Sequence, residues 1–377
     1  MKRTPLYSTH LALSARMIDF AGWEMPVQYT SILKEHRAVR NAAGLFDISH
    51  MGDIIIQGEG AEEGLRGILT NDIKGLSVGR GLYAHILDEQ GRTQDDVITF
   101  QILPGTYLQI PNASTTPKIC QWIEEHVDAR VINVSERLAC MALQGPRSAA
   151  ILQRLTDADV AGLRRMHGAF MVLNVEAPEG GAFLADIIDV SPPSEGVLAY
   201  VTRSGYTGED GFEILVDAAV AVPIWDALMA AGKVDCITPC GLGARDLLRL
   251  EMGFLLSGTD FDGAQTPLET GPGWIIKWDH AFVGREALLR QKEGSFPRLV
   301  GIELMGRRIP RQGHPIRADG KIIGKVTSGT LSPILNRGIA LGYVTADYAI
   351  EGKEVEIGLR NSWVGAKIVT PPFIKKG

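Results

Sequence analysis

The stretch Ser204-Gly205-Tyr206-Thr207-Gly208-Glu209-Asp210-Gly211-Phe212-Glu213 follows a predicted strand over 197–201 and holds three glycines and three carboxylates. Glycine adopts positive φ without strain and lets a backbone approach a ligand closely. Tyr206 offers an aromatic surface, and Glu213 offers a charged hydrogen-bond acceptor. The stretch, called loop 204–213 below, therefore predicts a binding loop for a flat, polar ligand that carries an amine.

Length and composition indicate an ordinary globular chain of more than one domain. The 377 residues suffice for two or three domains, since one domain commonly takes roughly 100–200 residues. Hydrophobic residues make up 45% and charged residues 22%. The 43 glycines favour a loop-rich or β-rich architecture over a helical bundle.

The charge pattern argues against nucleic acid and membrane as partners. The formal charge is −6, and no long basic run interrupts the chain. No stretch approaches the ~20 apolar residues that a membrane span needs. No apolar signal-peptide core follows the basic start of the sequence, so the expected location is the cytoplasm.

The four cysteines are expected to be buried free thiols and not metal ligands. Cys236 and Cys240 form the only close pair, and a zinc site would need two further ligands at suitable spacing. The eight histidines form no ligand pair. We therefore predict no metal site.

Hydrophobic periodicity predicts an alternation of strands and helices over the first half of the chain. Strands are predicted at 53–57, 83–87, 93–100, 106–110, 130–134 and 138–143, and helices at 31–43, 61–69, 117–127 and 145–155. The β-β-β-α-β order after residue 83 is that of an α+β domain, because parallel arrays alternate strand and helix strictly. Further helices are predicted at about 218–231 and 243–250.

Two other regions have distinct patterns. Residues 177–196 hold three prolines and three glycines without periodicity, and predict a long hairpin or an inserted loop. Residues 298–377 hold short apolar runs separated by Gly, Pro and Asn, which is typical of a small antiparallel β domain or barrel. The boundary of this last domain is expected between residues 278 and 298.

Candidate site residues lie outside loop 204–213 as well. With the turn centred on Gln90 and Gly91, Asp96 would share one face of a hairpin with His85 and Tyr83, where an acid and an aromatic could grip a ring and its amine. A solvated edge acid is the alternative for Asp96.

Three further residues each keep two interpretations. Asn112 is either a ligand contact or a helix cap. Arg245, a cation at a predicted helix start, needs an acidic partner such as Glu213 or Glu251, or a ligand carboxylate. Trp274 follows a Gly-Pro-Gly turn, and its side chain either packs in the core or contacts a ligand.

These motifs together resemble the tetrahydrofolate-dependent aminomethyltransferases, the T-proteins of the glycine cleavage system, over nearly the whole length. The resemblance rests on Phe20 to Tyr29, Phe46-Asp47-Ile48-Ser49-His50-Met51-Gly52, Asp95-Asp96, Leu143-Gln144-Gly145-Pro146, Gly205 to Glu213, Gly241 to Leu250, Pro267-Leu268-Glu269, Val326-Thr327-Ser328-Gly329 and Pro371-Pro372-Phe373. One such motif would be weak, but these occur in order and at fitting spacing.

The resemblance implies an α+β, three-domain cloverleaf with antiparallel sheets and a C-terminal β-barrel-like domain around a central folate funnel. Residues 1–50 plus 140–275 would form a discontinuous folate-binding domain, residues 51–139 a second domain carrying Asp96, and residues 285–377 the barrel domain.

The resemblance also implies the chemistry and its residues. Asp96 would bind the pterin and support attack by folate N5, and the implied folate contacts are Tyr83, Asn112, Tyr206, Glu213, Arg245 and Trp274. The implied reaction passes an aminomethyl carbon from the lipoyl group of H-protein to tetrahydrofolate, with release of ammonia.

The sequence departs from the family pattern at three places. Asn112-Ala113-Ser114 is followed by Thr115-Thr116-Pro117 where the family usually has Asn-Arg; residues 180–195 are longer than the usual connection; and Pro272-Gly273-Trp274 replaces the usual Leu-Gly-Trp. Two alternative functions stay open: a folate-dependent demethylase or methyltransferase acting on another donor, and a non-catalytic folate-binding protein.

Overall fold

The computed structural model describes residues 1–176, 182–360 and 362–375 of the chain. The chain divides into two compact units. Unit 1 consists of Met1–Arg66, Ile73–Tyr83 and Val97–Arg245, and unit 2 of Gly67–Asp72, Ala84–Asp96 and Asp246–Gly377. Among the described residues, no helix has both the length and the apolar character needed to span a membrane.

Strands outnumber helices in both units. The strands are β1 (Arg16–Phe20), β2 (Trp23–Gln28), β3 (Gly44–Asp47), β4 (Ile54–Gln57), β5 (Gly81–Leu87), β6 (Thr93–Leu103), β7 (Thr106–Ile110), β8 (Arg130–Asn133), β9 (Leu138–Gln144), β10 (Gly168–Leu173), β11 (Val197–Thr202), β12 (Gly211–Asp217), β13 (Thr238–Pro239), β14 (Arg298–Leu304), β15 (Pro315–Ala318), β16 (Lys321–Ser332), β17 (Arg337–Val344), β18 (Glu354–Leu359) and β19 (Ser362–Val369). The α-helices are α1 (Tyr7–Ala12), α2 (Ile32–Asn41), α3 (Ala61–Ile68), α4 (Thr116–His126), α5 (Ser148–Gln153), α6 (Phe183–Ile187), α7 (Ala221–Ala231), α8 (Leu242–Glu251), α9 (Pro267–Thr270) and α10 (Arg285–Lys292).

A six-stranded sheet of order β10-β11-β12-β9-β3-β13 forms the centre of unit 1. Its strands pair antiparallel except for β13, which pairs parallel to β3. Side chains alternate between the two faces of a strand. On β12, Phe212 and Ile214 are fully buried in the core that also contains Trp225 of α7. Glu213, between them, therefore projects from the opposite face.

The opposite face of this sheet packs on a second sheet of order β5-β6-β7-β4-β8. Tyr200 and Leu215 from the first sheet share one apolar core with Ile55, Phe100 and Leu108 from the second. Strands β5 and β6 contribute residues to both units. The packing of the two sheets leaves polar side chains such as Glu213 at the margin of an apolar interlayer.

The hairpin that joins β5 to β6 turns differently from the sequence-based expectation. The Gly91 N–H donates to the Asp88 carbonyl, and the Asp88 N–H donates to the Arg92 carbonyl. Gly91 has φ of 78°, so it occupies the left-handed position of a bulged turn. The extra residue shifts the register of the two arms by one position from a turn centred on Gln90 and Gly91.

Unit 2 contains a closed barrel of order β14-β17-β16-β15-β18-β19. Its interior is filled by alternate apolar side chains such as Ile302, Ile316, Val326, Ile357 and Ile368. Strand β15 has only four residues and was not predicted, yet it closes the barrel by pairing with both β16 and β18. The predicted C-terminal β-barrel is confirmed.

The α+β class with antiparallel sheets is likewise confirmed, and most predicted elements occur within a few residues of their expected bounds. Residues 177–196 were predicted to form a long hairpin or an inserted loop, and their described part is not a hairpin. Helix α6 lies there, because Leu184 and Ile188 bury their side chains in the interlayer of unit 1. Residues 177–181 lie outside the described residues.

Candidate functional site

Strand β12 positions Glu213, the acid that closes loop 204–213. Glu213 stands beside Ala142 of β9 and Thr202 of β11 in the sheet register. The Ser204 hydroxyl donates a hydrogen bond to its carboxylate, and the Thr202 hydroxyl lies 2.6 Å from that of Ser204. The two hydroxyls fix the orientation of the Glu213 carboxylate near the start of the strand.

Two ion pairs brace the loop. The Arg203 guanidinium donates to both carboxylate oxygens of Asp210, at 2.8 and 2.7 Å. Arg40, at the end of α2, donates to the Thr207 carbonyl at 2.7 Å and to Glu209 at 2.8 Å. Glu209 and Asp210, the other two acids of the loop, therefore have structural partners within unit 1.

Arg245 of α8 lies over the ring of Tyr206, with 4.7 Å between its Cζ atom and the ring centroid. Burial lowers the pKa of Arg245, and the negative charge of Glu213 opposes that effect. Its Nη1 atom is buried and has no hydrogen-bond partner among the described residues. Since a buried guanidinium N–H without an acceptor is costly, this atom is suited to an acceptor on a ligand.

Two buried residues of unit 1 near this group were not among the predicted site residues. Burial, and to a smaller extent the negative charge of Glu213, raise the pKa of Asp53 to about 7. Burial lowers the pKa of His50 to about 4, with Arg245 acting in the same direction. Both residues belong to the segment that links β3 to β4, and His50 lies within the Phe46–Gly52 motif. The motif was the sequence signal that could have pointed to His50 and the adjoining Asp53. It does not reveal a neighbour as distant in the sequence as Glu213.

The hairpin places the two adjacent acids of unit 2 in different surroundings. Asp95 is fully buried and accepts a hydrogen bond from Ser257 at 3.3 Å, whereas Asp96 is partly exposed. The His85 Nδ1 atom lies 3.2 Å from the Thr93 hydroxyl, so His85 shares a face with Thr93 and Asp95. The expectation that His85 and Asp96 share a face was wrong, because the bulged turn shifts the register. Asp96 is the more exposed acid of the pair.

The structure places the other candidate residues as follows. Tyr83 in β5 and Asn112 after β7 are partly exposed members of unit 1. Helix α4 has Thr115 as its N-cap residue, and the Asn112 carbonyl accepts hydrogen bonds from the N–H groups of Thr115 and Thr116 at the helix start. Trp274 in unit 2 is 58% exposed, so core packing was the wrong interpretation for it.

The four cysteines are free, as expected. Their predicted burial holds for Cys120 and Cys240, whereas Cys140 is only partly buried and Cys236 is exposed. Cys236 follows a short helical turn, Lys233–Asp235, and has a φ of 56°.

Comparison with known protein families gives two matches that together span most of the chain. The GCVT N-terminal domain matches residues 6–176 and 193–280, and the glycine cleavage T-protein C-terminal barrel domain matches residues 298–375. The second match coincides with the closed barrel of unit 2. The fold and these matches define a transferase of the T-protein class.

Full-length relatives give the same result. The chain is 44% identical to an aminomethyltransferase of Geobacillus kaustophilus, over 100% of this chain and 99% of the relative, and 42% identical to one of Halothermothrix orenii, over 99% and 100%. A solved structure, the glycine cleavage system aminomethyltransferase T from Bartonella henselae, matches with a TM-score of 0.87 and 32% identity over 99% of this chain and 98% of that one. The chain belongs to the aminomethyltransferase family of glycine cleavage T-proteins, as the sequence resemblance indicated.

Proposed function

We propose that this aminomethyltransferase transfers the aminomethyl carbon from the lipoyl group of H-protein to tetrahydrofolate. The products would be 5,10-methylenetetrahydrofolate, ammonia and dihydrolipoyl H-protein. Family membership supports the reaction class, and lipoylated H-protein is the partner that this reaction requires.

The observation that carries the folate proposal is the group formed by Tyr206, Glu213 and Arg245. A carboxylate accepts hydrogen bonds from an amine and a ring N–H, while a guanidinium donates to carbonyl or carboxylate oxygens. The buried Nη1 atom of Arg245 needs such an acceptor. A pterin ring with its glutamate tail offers both donors and acceptors, so the residues of unit 1 fit a folate.

The remaining roles are proposed on the family motif. Asp96 would be the catalytic carboxylate that orients the folate and favours nucleophilic N5, and its partial exposure is compatible with that role. Tyr83, Asn112 and Trp274 would be further folate contacts. Most of the acceleration would come from proximity, which reaches about 7–11 kcal/mol in favourable intramolecular cases.

We also propose three domains within the chain. Residues 1–50 plus 140–275 contain the six-stranded sheet, residues 51–139 the five-stranded sheet, and residues 285–377 the barrel. Each sheet has its own set of strands, which supports this division.

Ammonia release tests the reaction. Purified chain, aminomethylated H-protein and tetrahydrofolate should give ammonia and methylenetetrahydrofolate in equal amounts. No turnover with this donor, together with demethylation of a methyl ether or a sulfonium, would replace the proposal by the demethylase alternative. Folate binding without turnover of any donor would favour a non-catalytic role.

Asp96→Asn tests the catalytic residue. We expect kcat to fall by about 10²-fold or more, as for loss of a positioned acid or base, with the thermal midpoint nearly unchanged. Glu89→Gln, an exposed acid in the turn of the same hairpin, is the matched control and should keep full turnover. An Asp96→Asn chain with the turnover of the control would remove Asp96 from the mechanism.

A further inference from the structure

Gln144, the last residue of β9, lies in a slot made by glycines. It is fully buried, and its neighbours in the sheet register are Gly44 on one side and Gly211 on the other. A Cβ atom on Gly205 would lie 2.0 Å from Gln144 Oε1, and one on Gly211 would lie 2.4 Å from Gln144 Nε2. A side chain at either of these two positions of loop 204–213 would therefore displace the Gln144 amide, apart from any effect on a ligand.

The amide of Gln144 binds loop 204–213 at two points. Nε2 donates to the Ser204 carbonyl at 3.0 Å, and the Thr207 hydroxyl donates to Oε1 at 2.8 Å. Thr207 is itself fully buried. Since only Gly205 and Tyr206 lie between the two attachment points, Gln144 fixes both ends of the segment that carries the Tyr206 ring.

The attachment has consequences for two of the proposed folate contacts. The Tyr206 ring is held beneath Arg245, and Ser204, whose carbonyl binds Gln144, uses its hydroxyl to bind Glu213. Movement of the loop would therefore displace the aromatic ring and release the carboxylate together.

We propose that Gln144 is a positioning residue whose side-chain amide sets Tyr206 and Glu213 for the binding of a folate. This inference rests on the proposed function. It gives the Leu143–Pro146 motif a role in the site without any contact between Gln144 and the ligand.

Gln144→Glu tests the donor half of the amide. An ionised glutamate would place a carboxylate oxygen against the Ser204 carbonyl, whereas a protonated one could donate to it, and burial raises a carboxyl pKa. We expect the Kd for tetrahydrofolate to rise about tenfold or more at pH 8, relative to the wild type, and to recover towards pH 6. The control is Gln153→Glu, the same substitution at an exposed glutamine that braces residues 156–160, and it should leave Kd unchanged at both pH values.

Two substitutions of Thr207 test the other half of the Gln144 amide, the Oε1 atom that accepts the Thr207 hydrogen bond. Thr207→Val removes the hydroxyl at nearly constant volume, and Thr207→Ser keeps it. Loss of one hydrogen bond of about 1 kcal/mol corresponds to roughly a fivefold increase in Kd. We expect that increase in Thr207→Val, with kcat at saturating tetrahydrofolate largely retained, and near wild-type affinity in Thr207→Ser.

Amide hydrogen exchange gives a readout that needs no folate. Residues 205–208 should exchange faster in Gln144→Glu at pH 8 than in the wild type, after correction for intrinsic rates. Unchanged exchange, or faster exchange with an unchanged Kd, would overturn the role of Gln144. A wild-type chain that binds no tetrahydrofolate would instead overturn the proposed function, and the exchange result would still decide whether Gln144 holds the loop.

Discussion

Glu213 and Asp53 are two acids of unit 1 in different surroundings. Glu213 accepts a hydrogen bond from Ser204 and attracts the charge of Arg245. Asp53 is buried, and the negative charge of Glu213 adds to the burial that raises its pKa to about 7. The two acids therefore differ in their surroundings, since the charges near Glu213 include a cation whereas the charge that acts on Asp53 is negative.

The raised pKa of Asp53 predicts a pH-dependent cost in stability. Above about pH 4 an unfolded aspartate loses its proton, whereas folded Asp53 keeps it up to about pH 7. Folding therefore takes up a proton in this window, and the contribution of Asp53 to stability falls by up to about 1.4 kcal/mol per pH unit as the pH rises. The loss is complete above about pH 7.

Asp53→Asn should remove this dependence. We expect the urea midpoint of the variant, relative to the wild type, to rise between pH 4 and pH 8. The exposed acid Asp226 supplies the control, since Asp226→Asn should give a constant difference across the range. A constant difference for Asp53→Asn as well would contradict the raised pKa.

At the scale of the element, helix α3 shows how one residue type can have opposite roles within two turns. A Cβ atom on Gly64 would lie 2.5 Å from Val127 Cγ1 and 2.9 Å from Val127 Cα. A Cβ atom on Gly67 would have no neighbour within 4 Å. Gly64 thus permits close packing of the helix, whereas Gly67 only weakens it, since glycine is less favourable than alanine in a helix interior.

A matched pair of alanine substitutions tests this difference. Gly67→Ala should stabilise the protein by about 0.5–1 kcal/mol through helix propensity. Gly64→Ala should destabilise it by about 1–3 kcal/mol, because the methyl group overpacks against the Val127 backbone. Thermal unfolding of both variants is the measurement, and equal shifts in the two would contradict the packing account.

On the scale of the whole molecule, a buried network of hydrogen bonds and an ion pair stabilises unit 2 internally. Arg249 of α8 donates to Asp260 at 2.7 Å and to the Ser328 hydroxyl of β16 at 2.8 Å. The Thr327 hydroxyl donates to the Asp260 carboxylate, and the Tyr343 hydroxyl donates to the Asp260 backbone carbonyl at 2.7 Å. The Val326–Gly329 motif therefore ties the barrel to the chain that leads into it, which explains its run of hydroxyls.

Removing only one partner of the Arg249–Asp260 ion pair should destabilise the protein more than replacing both partners. Asp260→Ala removes the buried carboxylate partner of Arg249, leaves only the half-exposed Asp246 paired with it, and should cost about 3–5 kcal/mol. The double variant Arg249→Leu with Asp260→Leu should recover part of that loss, because it removes both charges. Urea unfolding of the single and double variants measures the difference, and additive losses would contradict the pairing.

The sequence by itself determined the family, the α+β class, most of the strands and helices and the presence of a C-terminal barrel. These features depend on local periodicity, on turn residues and on motifs that are read in order along the chain. It also singled out Tyr206, Glu213 and Arg245 as candidates, but it left the partner of Arg245 open between two acids and a ligand.

Tertiary structure alone decided which residues meet. It paired Arg203 with Asp210 and Arg40 with Glu209, shifted the β5–β6 register through the left-handed Gly91, and left Trp274 exposed. It also placed the Gln144 amide inside loop 204–213. The physical reason is that hydrogen bonds, charge interactions and burial depend on distance in space, and side chains far apart in the chain carry no local pattern that records their contact.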